Sequence, residues 1–140
     1  MAMAASMRQA RQYQRAQVES ASPTQLVVML YDGAIRFLSA AIDKIAAGEI
    51  EERHRNIVKA QNILAELMST LDREKGGEVA ENLFRIYHYC YNLTVEANLY
   101  DDAERLHRAV ASLRDLRESW AAIDRMERSA ESEQHTQEAA

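Results

Sequence analysis

The chain has one proline, four glycines and one cysteine in 140 residues. So few turn formers exclude an all-β fold, which needs a turn signal about every ten residues. The single cysteine, Cys90, leaves no disulfide framework and suits a reducing compartment. No uninterrupted apolar run approaches the ~20 residues that span a bilayer. The first residues, Met1 to Ser6, are small and apolar but short, and Arg8, Arg11 and Arg15 follow, so no secretory core is present. An excess of positive charge is also missing. The net charge of −5 argues against binding nucleic acid by neutralising phosphates. These absences lead to the expectation of a cytoplasmic protein with no nucleic-acid partner and no membrane insertion. What is present is 47% hydrophobic and 28% charged residues, a globular composition long enough for one domain with one core.

The strongest stretch runs from Ser22 to Ala47. Ser22 is a good helix N-cap, Pro23 suits the first helical position, and Gln25 stands where a capping box needs it. Leu26, Met29, Leu30, Gly33 and Phe37 share one face of this helix. Val27, Tyr31, Ala34, Leu38, Ala41 and Ile45 share the neighbouring one. A helix apolar on two faces needs more than one hydrophobic partner. Gly48 suits a left-handed cap at its end.

Ile50, Ile57, Leu64 and Leu71 then recur every seven residues, with Ala60 and Leu67 between them, as in a seam of packed helices. Asp72 to Gly77 is the clearest break. A third helix is expected from Glu78 to Asn98, its seam being Val79, Leu83, Ile86, Cys90, Leu93 and Ala97. A fourth, capped by Asp101, carries Leu106, Val110, Leu113, Leu116 or Arg117, Trp120 and Ile123. Four long helices with short links imply an all-α, antiparallel up-down four-helix bundle. Residues 22–126 form this bundle domain. Residues 1–21, with a weak stripe of Met7, Ala10, Tyr13, Gln17 and Val18, form a short, mobile N-terminal helical arm. Residues 127–140 lack an apolar period and read as a disordered C-terminal tail.

Signatures of chemistry are sparse. Gly76-Gly77 is not followed by the residues of a phosphate loop, and Cys90 falls on a helix seam, where a core role outweighs a nucleophilic one. One alternative has a specific pattern. Di-metal carboxylate bundles use Glu-x-x-His on two helices and a carboxylate from each of the others. Here Glu51/His54 and Glu104/His107 would supply the pairs, and Asp43 and Glu96 the rest. Asp43 is turned away from the core face, which weakens the scheme. Neither this nor any other cofactor is favoured, and no enzymatic activity is expected.

The order of the pieces resembles the FliS family of flagellar export chaperones. The resemblance rests on Tyr13, on Val18-Glu19-Ser20 leading into Ser22-Pro23, and on Met29-Leu30-Tyr31-Asp32-Gly33. It continues with Lys59-Ala60-Gln61-Asn62-Ile63, Leu71-Asp72, and Glu74-Lys75-Gly76-Gly77-Glu78. Asn82-Leu83, Tyr87, Tyr89, Ala97-Asn98 and Trp120 complete it. The chain departs from the common pattern at Tyr91-Asn92, where members often carry a basic pair, and at Ala121, where a lysine is common.

The resemblance implies a non-enzymatic bundle that binds the C-terminal segment of flagellin one to one. It would prevent premature polymerisation and deliver flagellin to the flagellar type III export gate. The surplus apolar surface suggests which residues line the groove: Leu26, Met29, Leu30, Ile35 and Phe37, with Leu64, Leu67, Met68, Tyr87 and Tyr91. By the same analogy Tyr13 and Val18 belong to a displaceable lid. A hinge near Ser20-Ala21 would also allow weak self-association through the arm.

Overall fold

A computed structural model describes residues 2–139, with side-chain surroundings from residue 4 onward. Met1 of the expected arm and Ala140 of the expected tail lie outside the described residues. Five helices follow in order: α1 (Ala2–Ser20), α2 (Pro23–Ala47), α3 (Ile50–Ser69), α4 (Arg73–Tyr100) and α5 (Ala103–Ala139). The last four form the bundle. Each packs on two neighbours around a square, α2 on α3 and α5, α4 on α3 and α5. Thr24 meets Glu127 and Asp32 meets Arg117, so α5 runs antiparallel to α2.

Local chemistry fixes the ends of α2. The Ser22 hydroxyl accepts from the Gln25 N–H at 3.2 Å, and the Gln25 side-chain oxygen accepts from the Ser22 N–H at 2.9 Å. Two otherwise unpaired donors of the first turn are thereby satisfied. At the other end Gly48 takes φ 71°, where only glycine avoids a steric penalty, and its N–H bonds back to Ile45.

The core is the second of the two apolar faces of α2. Tyr31, Ala34, Leu38 and Ala41 are wholly buried against Ile57, Ala60 and Leu64 of α3, Cys90 and Ala97 of α4, and Leu106, Ala109 and Leu113 of α5. Alanines recur among them, and a side chain of one methyl lets helix axes approach closely. By length and composition α2 also reaches what a membrane span requires. In the bundle its charged Asp32 has a protein partner instead, receiving the Arg117 guanidinium at 2.8 Å.

The structure corrects several expected details. Ile50 and Val79 are not seam residues: both are exposed, and Ala80 starts the buried stripe of α4. For Val79 the reason lies in Gly77. Its φ 53°, ψ −130° interrupts the helix after one short turn capped by Asp72, so the register begins afresh beyond it. Ile123, expected in the last seam, is also exposed. Asn98 does not end α4. Its side chain is taken by Arg53 and His54 of α3, and the helix runs on to Tyr100, with Asp101 left-handed at φ 55°. Asp102 rather than Asp101 caps the next helix, accepting the Glu104 N–H at 3.0 Å. Residues 127–139, expected to be disordered, continue α5 as helix, with every side chain exposed. They contain neither glycine nor proline, so nothing local stops the helix.

If the Ser22 cap holds the start of α2, Ser22→Ala lowers unfolding free energy by ~1 kcal/mol, whereas Ser22→Gly costs only a few tenths. Urea unfolding followed by circular dichroism measures both.

Candidate functional site

The first apolar face of α2 has no helix over it. Leu26, Met29, Leu30, Gly33 and Phe37 recur at three- and four-residue spacing and open onto a groove of about 740 Å³. The opposite wall is α3, with Ile63 and Leu67, continued by Leu71 just beyond its end, and Tyr87 of α4 and Trp120 of α5 line the groove as well. Arg36, Glu66 and Thr70 are its exposed polar members. Gly33 matters here for its missing side chain. A Cβ at that position would come within 3.1 Å of the Ile63 side chain, so glycine is what lets the two walls meet at this depth.

A hydrogen bond between the hydroxyls of Tyr31 and Tyr87 links α2 to α4, which are diagonal in the bundle. Their ring centres are 6.1 Å apart and tilted by 46°. Burial raises both phenol pKa values above the ordinary tyrosine range. For Tyr31 the bond to Tyr87 adds to the rise, and the Trp120 indole works against it. The sign is simple. Both groups stay neutral when folded, so their contribution to stability is complete below the ordinary value of ~10 and declines above it, where the unfolded chain ionises.

The structure sorts the expected groove residues. Leu26, Met29, Leu30, Phe37, Leu67 and Tyr87 line the groove together. Leu64 is wholly buried core, and Ile35, Met68 and Tyr91 pack against the core away from the groove. Of the arm, Val18 reaches the groove's edge. Tyr13 is 66% exposed and bonds only to Gln17 of its own helix. Reading from sequence missed Gly33, Ile63, Leu71 and Trp120. Gly33 stood on the right face but carries no apolar side chain to attract notice. Ile63 lies one residue from the Leu64 seam, and its face depends on which helix α3 meets.

The di-metal alternative fails on geometry. Glu51, His54, Glu104 and His107 are all exposed. His54 bonds to Asn98, Glu104 pairs with Arg108, and Glu96 pairs with Arg105. Among the described residues no three His, Cys, Asp or Glu side chains are grouped to hold a metal ion. Cys90 is buried, and burial pushes its thiol up to about 11, so it is neutral and unreactive at ordinary pH. A second hollow beside Asn98 is lined by Ile50 and Val58 and by polar side chains of α3, including Arg53, His54 and Lys59.

A four-helix bundle with one helix face left open as an apolar groove is a binding scaffold in the helix-in-groove class. The family model described as flagellar protein FliS matches residues 6–127, and the chain belongs to that family. It is 34% identical over 116 residues to the flagellar secretion chaperone FliS of Bacillus subtilis, covering 83% of this chain and 86% of that one. It is 38% identical over 107 residues to the protein of the same name from Salmonella typhimurium, covering 76% and 79%. With the flagellar secretion chaperone FliSB of Pseudomonas aeruginosa it shares 36% over 121 residues, 84% of this chain and 96% of the other.

Removing one hydroxyl of the tyrosine pair leaves the other buried without its partner. Tyr31→Phe and Tyr87→Phe each lower stability by about 1–3 kcal/mol. The double variant loses clearly less than the sum, because no orphan remains. Denaturant titration of the four proteins checks the cycle.

Proposed function

We propose that this protein is a cytoplasmic secretion chaperone whose groove receives the C-terminal segment of flagellin, one molecule to one. Held there, flagellin is kept from polymerising early and is delivered to the flagellar export apparatus. The observation that carries the reading is the open apolar face of α2, roofless in an otherwise packed bundle. Its relatives' names, flagellar secretion chaperone, supply the partner system.

The physics suits a partner that is disordered when free. Such a segment loses conformational entropy as it orders, so it needs a wide apolar seat and a scaffold that already holds its shape. The lining of α2 from Pro23 to Phe37 extends for about 21 Å at ~1.5 Å per residue, close to four turns of a bound helix. Residues 1–21 act in this reading as a displaceable arm. Val18 touches the groove's end, and the side chains of α1 from residue 4 onward are exposed. No step requires a catalytic group or cofactor.

Calorimetry with intact flagellin and with flagellin lacking its C-terminal segment tests the proposal. Binding is expected only with the intact protein, and equal affinity for the two overturns it. Met29→Glu places an unpaired carboxylate in the apolar wall and weakens binding at least ~10-fold. Trp120 is the sole tryptophan and lines the groove, so its emission shifts to shorter wavelength when the groove fills.

A further inference from the structure

The groove is not electrically symmetric. The Arg36 guanidinium lies 5.2 Å from the centre of the Phe37 ring and the Lys59 ammonium 5.4 Å from the same centre. Phe37 is the last α2 residue of the apolar lining; Arg36 lines the groove beside it, and Lys59, which lines the neighbouring hollow, reaches the same ring. Neither is ion-paired among the described residues, whereas Arg53, Arg55, Arg73, Arg105 and Arg117 all are. Seven residues along α3 from Lys59, about 10 Å, the exposed Glu66 carboxylate stands on the same groove, and it too has no cation within salt-bridge distance among the described residues. The apolar seat thus has a cationic end and, two turns away, an anionic flank.

A helix carries the opposite polarity along its own axis, positive at its amino end and negative at its carboxyl end. An apolar groove alone accepts an amphipathic helix in either direction. We infer that Arg36 and Lys59, gathered on Phe37, set the direction of the bound helix. Its carboxyl-terminal, anionic end lies at Phe37 and its amino-terminal end toward Glu66 and Thr70. The bound helix then runs parallel to α2 and antiparallel to α3. A partner segment fits best when an acidic residue stands near its carboxyl end and a basic one about two turns earlier. This rests on the groove being the seat of flagellin and adds the orientation and charge pattern of the occupant.

Two measurements test it. A nitroxide attached at Thr70→Cys, with native Cys90 buried and unreactive, reports which end of an isotope-labelled flagellin C-terminal segment is near. Broadening of signals at the amino-terminal end of the groove-bound helix is expected, and broadening at its carboxyl end overturns the inference. Charge reversal of both cations, Arg36→Glu with Lys59→Glu, is expected to weaken binding about tenfold at low salt and to flatten its salt dependence. Unchanged affinity and salt response overturn the inference while leaving the chaperone reading in place. If the unaltered protein fails to bind flagellin at all, the chaperone reading itself falls, and the assigned polarity with it. Both cations stand at the rim, so an unchanged melting temperature separates a binding effect from a folding one.

Discussion

The placement of α2 governs the molecule. Its two apolar faces cannot both be served by the three helices that surround it. One face, from Tyr31 through Ala41, is sealed against α3 and α5. The other is left to the groove, and only 28% of the most apolar window of α2 is fully buried. The Tyr31–Tyr87 bond holds this compromise in register. It joins helices that lie diagonally in the bundle, and Tyr87 also lines the groove, so core geometry and groove geometry are set by the same side chain. A shift of α4 relative to α2 would alter the groove and strand two buried hydroxyls together.

What was legible in the sequence was what local chemistry decides. The Ser22–Gln25 box and the Gly48 cap each depend on residues within four positions, and both are where the sequence places them. The bundle itself followed from four long apolar periods. What escaped depended on distant partners. Asn98 has the chemistry of a helix terminator, but Arg53 and His54 from α3 claim its amide, and α4 continues. Val79 fits a seam by spacing, yet it lies two residues past the backbone turn at Gly77 and is exposed, while Cys90, Leu93 and Ala97 of the same seam are buried. Within the groove, Leu64 and Ile63 are neighbours of equal apolarity. Only the angle between α2 and α3 decides that the first is core and the second is wall. Trp120, 83 positions beyond Phe37, could not be placed beside it by any periodicity.

The two ends of the bundle are fastened by different forces. Near the start of α3 the contacts are polar: Arg53 reaches both Asn98 and Asp101, and Lys44 meets Glu49 across the α2–α3 link. At the groove end apolar contacts, with Leu71 and Trp120 packed at the margin of the core, add to the polar pairs Asp32–Arg117 and Thr24–Glu127. Exposed ion pairs contribute little to stability but fix orientation, whereas apolar surface is indifferent to orientation and tolerant of exchange.

The antiparallel pairing of α2 with α5 has a consequence for how the protein is made. Asp32 and Arg117 are 85 residues apart, and Thr24 and Glu127 are 103 apart. A ribosome releases α2 well before α5. At roughly 5–20 residues per second, the most apolar helix of the chain spends several seconds outside the exit tunnel before its final neighbour exists. For that interval both of its faces are bare, and loop-closure entropy discourages completing the core early. The bundle consequently closes only once α5 has emerged, and its nascent form exposes on both faces the helix that keeps one of them open as the groove.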